Sequence, residues 1–185
     1  MFLYIIEILS VVFNLIYLVL LMQKKRLCWW FGFAGSALAV YLMYVKQLPG
    51  QSLIYAYYSF IAVYGWWNWR VKNENEKAAS AWSIPVHILL NVGCVLVAVA
   101  AAFVINMYTS EKLAYEDALL TSYGFVASFM QARKIISNWI YWFVIDSASA
   151  IVYFNSGMRA YALLMLVYAA LCVSGYLNWK RTTNP

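Results

Sequence analysis

Seven apolar runs of sixteen to twenty-three residues, separated by short polar loops, leave this chain few folds to choose from. They are 2–22, 30–45, 51–69, 84–106, 117–132, 138–154 and 160–179. A helix needs about 20 mostly apolar residues to cross a bilayer core. A membrane β-barrel would show short alternating segments instead. Hydrophobic residues make up 65% of the chain and charged ones 11%, where soluble domains run near 45–50% and about 25%. A chain of 185 residues cannot hide that much apolar surface from water in its own core. A soluble enzyme, a disordered chain and a coiled coil are excluded. The fold class is therefore an all-α polytopic membrane protein with seven transmembrane helices. Its loops and tails are too short to hold a catalytic domain. The first run has no basic segment before it and no small-residue cleavage site, so it reads as a retained span rather than a signal peptide.

The positive charges are sorted by side. With seven spans, Lys24, Lys25, Arg26, Arg70, Lys72, Lys77, Arg133, Lys134, Lys180 and Arg181 share one side, and only Lys46, Lys112 and Arg159 fall on the other. Short cytoplasmic loops collect Lys and Arg. The expected orientation has the N-terminus outside and the C-terminus in the cytoplasm. The net charge of +6 thus reflects sidedness in a lipid bilayer and points to no nucleic acid. Cys28, Cys94 and Cys172 have neither paired spacing nor histidine neighbours, so no zinc site or disulfide framework is expected.

The chain also repeats itself. Shifted by 110 positions, Gly65-Trp66-Trp67-Asn68-Trp69-Arg70 falls on Gly175-Tyr176-Leu177-Asn178-Trp179-Lys180. At the same offset Trp29 meets Trp139, Lys24 meets Lys134, Tyr58 meets Tyr168 and Glu7 meets Asp117. The reading is a first three-helix repeat in residues 1–70, a cytoplasmic loop and connector helix in 71–112, and a second three-helix repeat with a tail in 113–185. An odd number of helices between the triplets makes them parallel. Transporters use such repeats about an axis along the membrane normal and place the substrate path at their interface.

Ionisable groups inside a bilayer mark function or a buried partner. Asp146 is the one acidic residue near the middle of a run. Asn138, Trp142, Asp146, Ser149 and Tyr153 step by four, four, three and four, which puts them on one helix face. The alternative is a carboxylate held by neighbouring hydroxyls for packing. The third run carries Gln51, Tyr55, Tyr58, Ala62, Trp66 and Trp69 at similar spacing. Aromatic rings beside a carboxylate suit a flat cation, with cation–π attraction of about 2 kcal/mol when desolvated; tryptophans near a helix end also serve as interface anchors. The fourth run places Ser83, His87 and Asn91 on one face, as a proton relay or as hydrogen bonds between bundles. Gly32, Ser36 and Ala39 suit close helix packing, and Asn14 suits a hydrogen bond across helices. Glu7 and Asp117 sit near outer ends. The candidate substrate-binding residues are Asn138, Trp142, Asp146, Tyr153, Tyr55, Tyr58, Trp66, Asn91 and Tyr168. No catalytic residue, metal or cofactor is expected, because no glycine-rich phosphate loop, HExxH or nucleophile elbow occurs.

Two of these segments are signatures. Tyr64-Gly65-Trp66-Trp67-Asn68-Trp69 matches YGWxxW, and Asn138-Trp139-Ile140-Tyr141-Trp142, followed by Asp146, matches NWxxW. Over nearly its whole length the chain resembles the PnuC family of bacterial vitamin transporters. The resemblance implies two parallel three-helix bundles joined by a connector helix, a fold similar to the SWEET sugar carriers. It also implies a homotrimer in the bacterial inner membrane. The implied function is facilitated uptake of nicotinamide riboside, trapped by a partner cytoplasmic kinase that phosphorylates it. Tyr55 and Ala62 stand where riboside carriers of the family have Gln and Asn, and Asp146 where the family often has Asn. Other branches resemble thiamine, riboflavin and deoxynucleoside carriers, and a carboxylate among aromatics also suits thiamine. A structural membrane subunit or a small intramembrane enzyme are the readings from other classes.

Overall fold

The computed structural model describes residues 2–47, 49–70, 79–108 and 114–181. Lys72, Lys77 and Lys112, used above for sidedness, lie outside the described residues. Among those described, seven helices run in order: α1 Phe2–Met22, α2 Cys28–Val45, α3 Pro49–Asn68, α4 Ile84–Tyr108, α5 Ala114–Ala132, α6 Asn138–Asn155 and α7 Arg159–Arg181. The apolar runs predict all seven within a few residues. The short second and fifth runs lengthen at their starts, to Cys28 and Ala114, because loop residues continue the helix. Four helices, α1, α2, α4 and α7, are long and apolar enough to cross a membrane by length and composition alone. α3, α5 and α6 are less apolar because each carries a polar face.

The outward faces explain how such helices stay in lipid. On α6, Ile140, Phe143, Val144, Ile151 and Phe154 are exposed, while Asn138 and Asp146 are buried. On α3, Leu53, Phe60, Val63 and Trp67 are exposed, while Ile61 and Ala62, and Trp69 just past the helix end, are buried. Both helices keep apolar side chains outward, and α6 turns its polar ones in, as hydrocarbon selects, since an unpaired polar group facing lipid costs several kcal/mol.

The 110-residue repeat is written into the backbone. Moving α2 by 110 positions gives α6 at both ends. Among the described residues, the non-glycine residues with positive φ are Lys24 (53°), Gln47 (58°) and Lys134 (55°), and glycine takes that region at Gly157 (78°). Lys24 corresponds to Lys134 and Gln47 to Gly157, so each turn recurs. The hydrogen bonds recur too: Lys24 N–H to Leu21 O and Lys134 N–H to Gln131 O, both 3.0 Å, then Cys28 N–H to Lys25 O and Asn138 N–H to Ile135 O. A left-handed residue costs about 1–2 kcal/mol without glycine; the hydrogen-bonded turn holds it there.

Contacts divide the chain into two compact units. One comprises residues 1–79 with 131–134 and 178–185, the other 80–130 and 135–177. In the first, α2 packs against α1 and α3. Its small residues let the backbones close up. A Cβ on Gly32 would come 2.9 Å from the Tyr17 ring, and one on Gly35 3.1 Å from the Asn14 amide. Ser10 Oγ donates to the Gly35 carbonyl at 2.9 Å. Gly65 has its Cα against the Trp29 indole.

A tryptophan knot closes the basic end of the first unit. Trp69 Nε1–H donates to Ala132 O at 3.0 Å, and Trp179 Nε1–H donates to Leu21 O at 3.1 Å. The two rings lie 5.9 Å apart, and Trp29 meets Trp69 edge-on at 5.3 Å. Lys24 Nζ sits 5.4 Å from the Trp179 ring centroid and Lys134 Nζ 5.3 Å from that of Trp69. The two lysine–tryptophan pairs correspond through the repeat, and the two carbonyl acceptors lie one position out of register. These donors satisfy carbonyls at helix C-termini, which no intrahelical N–H can reach.

In the second unit Gly175 repeats the role of Gly65, since a Cβ there would come 2.5 Å from the Trp139 ring. Ser122 Oγ donates to Cys94 O at 3.1 Å, joining α4 to α5. Ser83, placed by spacing on the fourth helix, precedes it instead: its carbonyl accepts from Val86 and His87 N–H groups and starts α4.

Candidate functional site

In the second unit, the α6 face carries the polar groups that sequence spacing assigned to it. Asn138 is fully buried, Trp142 and Tyr153 are half-buried, and Asp146, ninth of the eighteen helix residues, is 8% exposed. Asn138 Nδ2 donates to Ile135 O at 2.6 Å. Its Oδ1 and the Trp142 Nε1 are buried and have no hydrogen-bond partner among the described residues. They lie one turn apart and are an acceptor and a donor. Buried polar atoms without partners are rare and each calls for an explanation.

Asp146 is one turn further along. Its Oδ2 accepts from the Cys172 thiol of α7 at 3.6 Å. A thiol is a weak donor, so the carboxyl keeps most of its accepting capacity in an apolar span. A carboxylate charge in such a place calls for a compensating cation or a proton. Tyr153 stacks on Tyr161 of α7 with centroids 5.7 Å apart. Tyr168, also on α7, is half-buried.

Asn91 and His87 belong to a different set. His87 Nδ1 is 3.1 Å from the Tyr141 hydroxyl and Nε2 is 3.2 Å from Ser137 Oγ. Asn91 Nδ2 donates to Tyr141 Oη at 2.9 Å and to His87 O at 2.7 Å, and its Oδ1 accepts from Tyr123 at 3.0 Å. This chain of hydrogen bonds ties α4 to α5 and α6. It uses both ring nitrogens of His87 and both polar atoms of Asn91.

In the first unit, the α3 stripe splits into three. Tyr55 and Tyr58 are half-buried, with rings 6.3 Å apart, and Tyr57 lies 5.8 Å from Tyr58. Trp66 is half-buried and covered by the Arg26 guanidinium, 3.6 Å from its centroid. Trp69 is locked in the knot. There Lys24, drawn from its ordinary value of 10.5 to about 8, is shifted first by burial and then by the Lys134 charge.

Spacing along one helix could not reveal Cys172 beside Asp146, or Tyr123 and Tyr141 around Asn91, since these meet across helices. The Lys24–Lys134 pair and the Trp69–Trp179 pair were visible in the repeat, and their mutual contact is what the fold adds.

Comparison with known proteins follows the same lines. The family model for nicotinamide mononucleotide transporters matches residues 4–181. The riboflavin/roseoflavin transporter RibM of Streptomyces davaonensis is 24% identical over 160 residues, covering 81% of this chain and 75% of its own. The nicotinamide riboside transporter PnuC of Escherichia coli is 21% identical over 178 residues, covering 82% and 74%. The crystal structure of the vitamin B3 transporter PnuC superposes with a TM-score of 0.74 at 19% identity, covering 96% of this chain and 81% of that one.

Proposed function

Because the chain belongs to the nicotinamide mononucleotide transporter family, we propose that it is a facilitative carrier of a flat vitamin, nicotinamide riboside first among the candidates. Asp146 carries this reading. It is a buried mid-helix carboxyl on the same α6 face as Trp142, with one weak donor beside it among the described residues. A positively charged aromatic ring would satisfy the carboxylate, stack on Trp142 or a neighbouring tyrosine, and be cradled by the rest of the face. Asn138 Oδ1 and Trp142 Nε1 would bond the polar substituents of the ligand. Tyr153 and Tyr168 in the second unit are the remaining contacts of this proposal; Tyr55, Tyr58 and Trp66 of the first unit stand as candidates from the sequence pattern. Asn91 acts through the Tyr141 network rather than by direct contact. No nucleotide-binding motif and no second midplane carboxylate occur in the sequence, so transport is downhill, and a cytoplasmic kinase traps the product by phosphorylation. The carrier works as a homotrimer in the bacterial inner membrane, N-terminus outside and C-terminus in the cytoplasm.

Thiamine is the second reading. Tyr55 and Ala62 replace the two amides that suit a ribose or carboxamide, while the carboxylate and the added ring suit any flat cation. Asp146→Asn separates charge from shape. Affinity for cationic nicotinamide riboside or thiamine falls by about 1.5–3 kcal/mol, the size of a contact with a charged partner. Affinity for neutral reduced nicotinamide riboside changes much less. Trp142→Ala weakens both, because stacking is lost for either ring. Equal loss for cation and neutral analogue in Asp146→Asn, or no loss for either, makes Asp146 a packing residue.

A further inference from the structure

Two arginines at the basic end of α3 have no task in transport. Arg26, in the α1–α2 loop, lies with Cζ 3.6 Å from the Trp66 centroid and donates Nε–H to Trp66 O at 2.9 Å. Arg70, two residues past α3, lies with Cζ 5.4 Å from the Trp67 centroid. Arg26 is thus stacked on Trp66, and Arg70 lies within cation–π range of the next tryptophan. Trp30 extends the platform, its ring 5.3 Å from Trp66. Burial and the Arg70 charge hold the Arg26 guanidinium below its usual range. The one acidic residue described in this unit, Glu7, lies near the opposite end of α1 and is paired with Lys46 at 3.2 Å.

A guanidinium stacked on a ring spends its face and keeps its in-plane N–H fork for a phosphate or carboxylate. Among the described residues Arg26 donates through Nε, which leaves its Nη donors. Two like charges on one platform favour an anion. Trp30 and Trp67 say where it comes from. They are 55% and 70% exposed, and Trp67 continues the lipid-facing stripe of Leu53, Phe60 and Val63. Exposed tryptophans at helix ends sit at headgroup level. We propose that Arg26 and Arg70, held on Trp66, Trp67 and Trp30, form a binding site for the phosphate of an anionic phospholipid in the adjacent leaflet. A soluble anion would need no aromatic surface turned to lipid.

The test uses the full chain in nanodiscs containing brominated lipid, which quenches tryptophan on contact. At equal mole fraction, brominated phosphatidylglycerol quenches the wild-type chain more strongly than brominated phosphatidylcholine; equal quenching overturns the site without recourse to a variant. Each arginine near an anionic surface is worth roughly fivefold. Arg26→Gln with Arg70→Gln therefore lowers the preference for phosphatidylglycerol by about twenty- to thirtyfold. Arg26→Lys with Arg70→Lys keeps the charge and loses the fork, and the preference falls below that of the wild-type chain. Unchanged preference in the lysine pair, or a loss as large in Lys25→Gln of the same loop, reduces the effect to diffuse surface charge and overturns the site. Release of the brominated lipid by inorganic phosphate at constant ionic strength overturns the assignment to lipid.

Discussion

Replacing Gly175 by alanine tests how the helices meet. A Cβ there would come 2.5 Å from Trp139 Cζ3 and 2.6 Å from both Cε3 and Cη2. Real Cβ atoms do not approach an aromatic ring so closely, so either the indole or the α7 backbone must move. Trp139 is 1% exposed, which leaves the ring no free direction. Overpacking of this kind costs about 1–3 kcal/mol, and contact with three ring atoms puts it at the upper end. Alanine recovers about 0.5–1 kcal/mol of helix propensity. The net expectation is a loss of roughly 2 kcal/mol. Gly65→Ala meets Trp29 in the same way and should cost as much. Gly93→Ala, on α4 with nothing within 4 Å of its Cβ, should be neutral or gain up to about 1 kcal/mol. Unfolding of the purified chain in mixed micelles by a graded denaturing detergent, followed by tryptophan fluorescence, measures all three. A Gly175→Ala chain as stable as wild type, or a Gly93→Ala chain equally damaged, refutes the close approach and its repetition.

Three further outcomes follow from the same geometry. Competitive acylation read by mass spectrometry should place the titration of Lys24 near pH 8, and Lys134→Gln should move it upward by removing a like charge. Since folding lowers this lysine's affinity for protons, the chain should gain stability as pH rises from about 8 towards the ordinary lysine range; a loss over that interval contradicts the sign. A phosphatase that works only in the periplasm, fused after Pro185, should be silent, and strong activity there reverses the proposed orientation. Asp146→Asn should separate cationic from neutral ligands as described above.

Helix positions were legible because hydrocarbon imposes a length and a composition on every span, and helical period then assigned faces. Asn138, Trp142 and Asp146 step by four, and α6 turns them all inward while Ile140, Phe143 and Val144 face out. The repeat was legible because the same turns must be built twice: Lys24 and Lys134 take the same left-handed φ, as do Gln47 and Gly157. Contacts across helices left no periodic trace. The thiol of Cys172 reaches Asp146 from 26 positions away. Arg26 covers Trp66 from 40 positions away. His87 was legible as hydrogen-bonded or relaying, and its partners Tyr141 and Ser137 came only with the fold. Trp69 and Trp66 look alike in a helical stripe, yet one is sealed in the knot and the other lies under a guanidinium. A difference of three residues rotates the ring and carries it past the helix end, and spacing alone cannot say which neighbour awaits it.

Facilitated transport by this chain alone is the central claim, and counterflow in sealed liposomes tests it most directly. Vesicles holding the purified protein are loaded with unlabelled nicotinamide riboside and placed in a trace of labelled riboside, without ATP or an ion gradient. The expected result is transient accumulation of label that collapses when the internal pool is left out, with thiamine and riboflavin compared in the same way to rank the ligands. Absence of counterflow for all three vitamins, or accumulation of unmodified riboside that an uncoupler abolishes, would contradict a passive vitamin carrier.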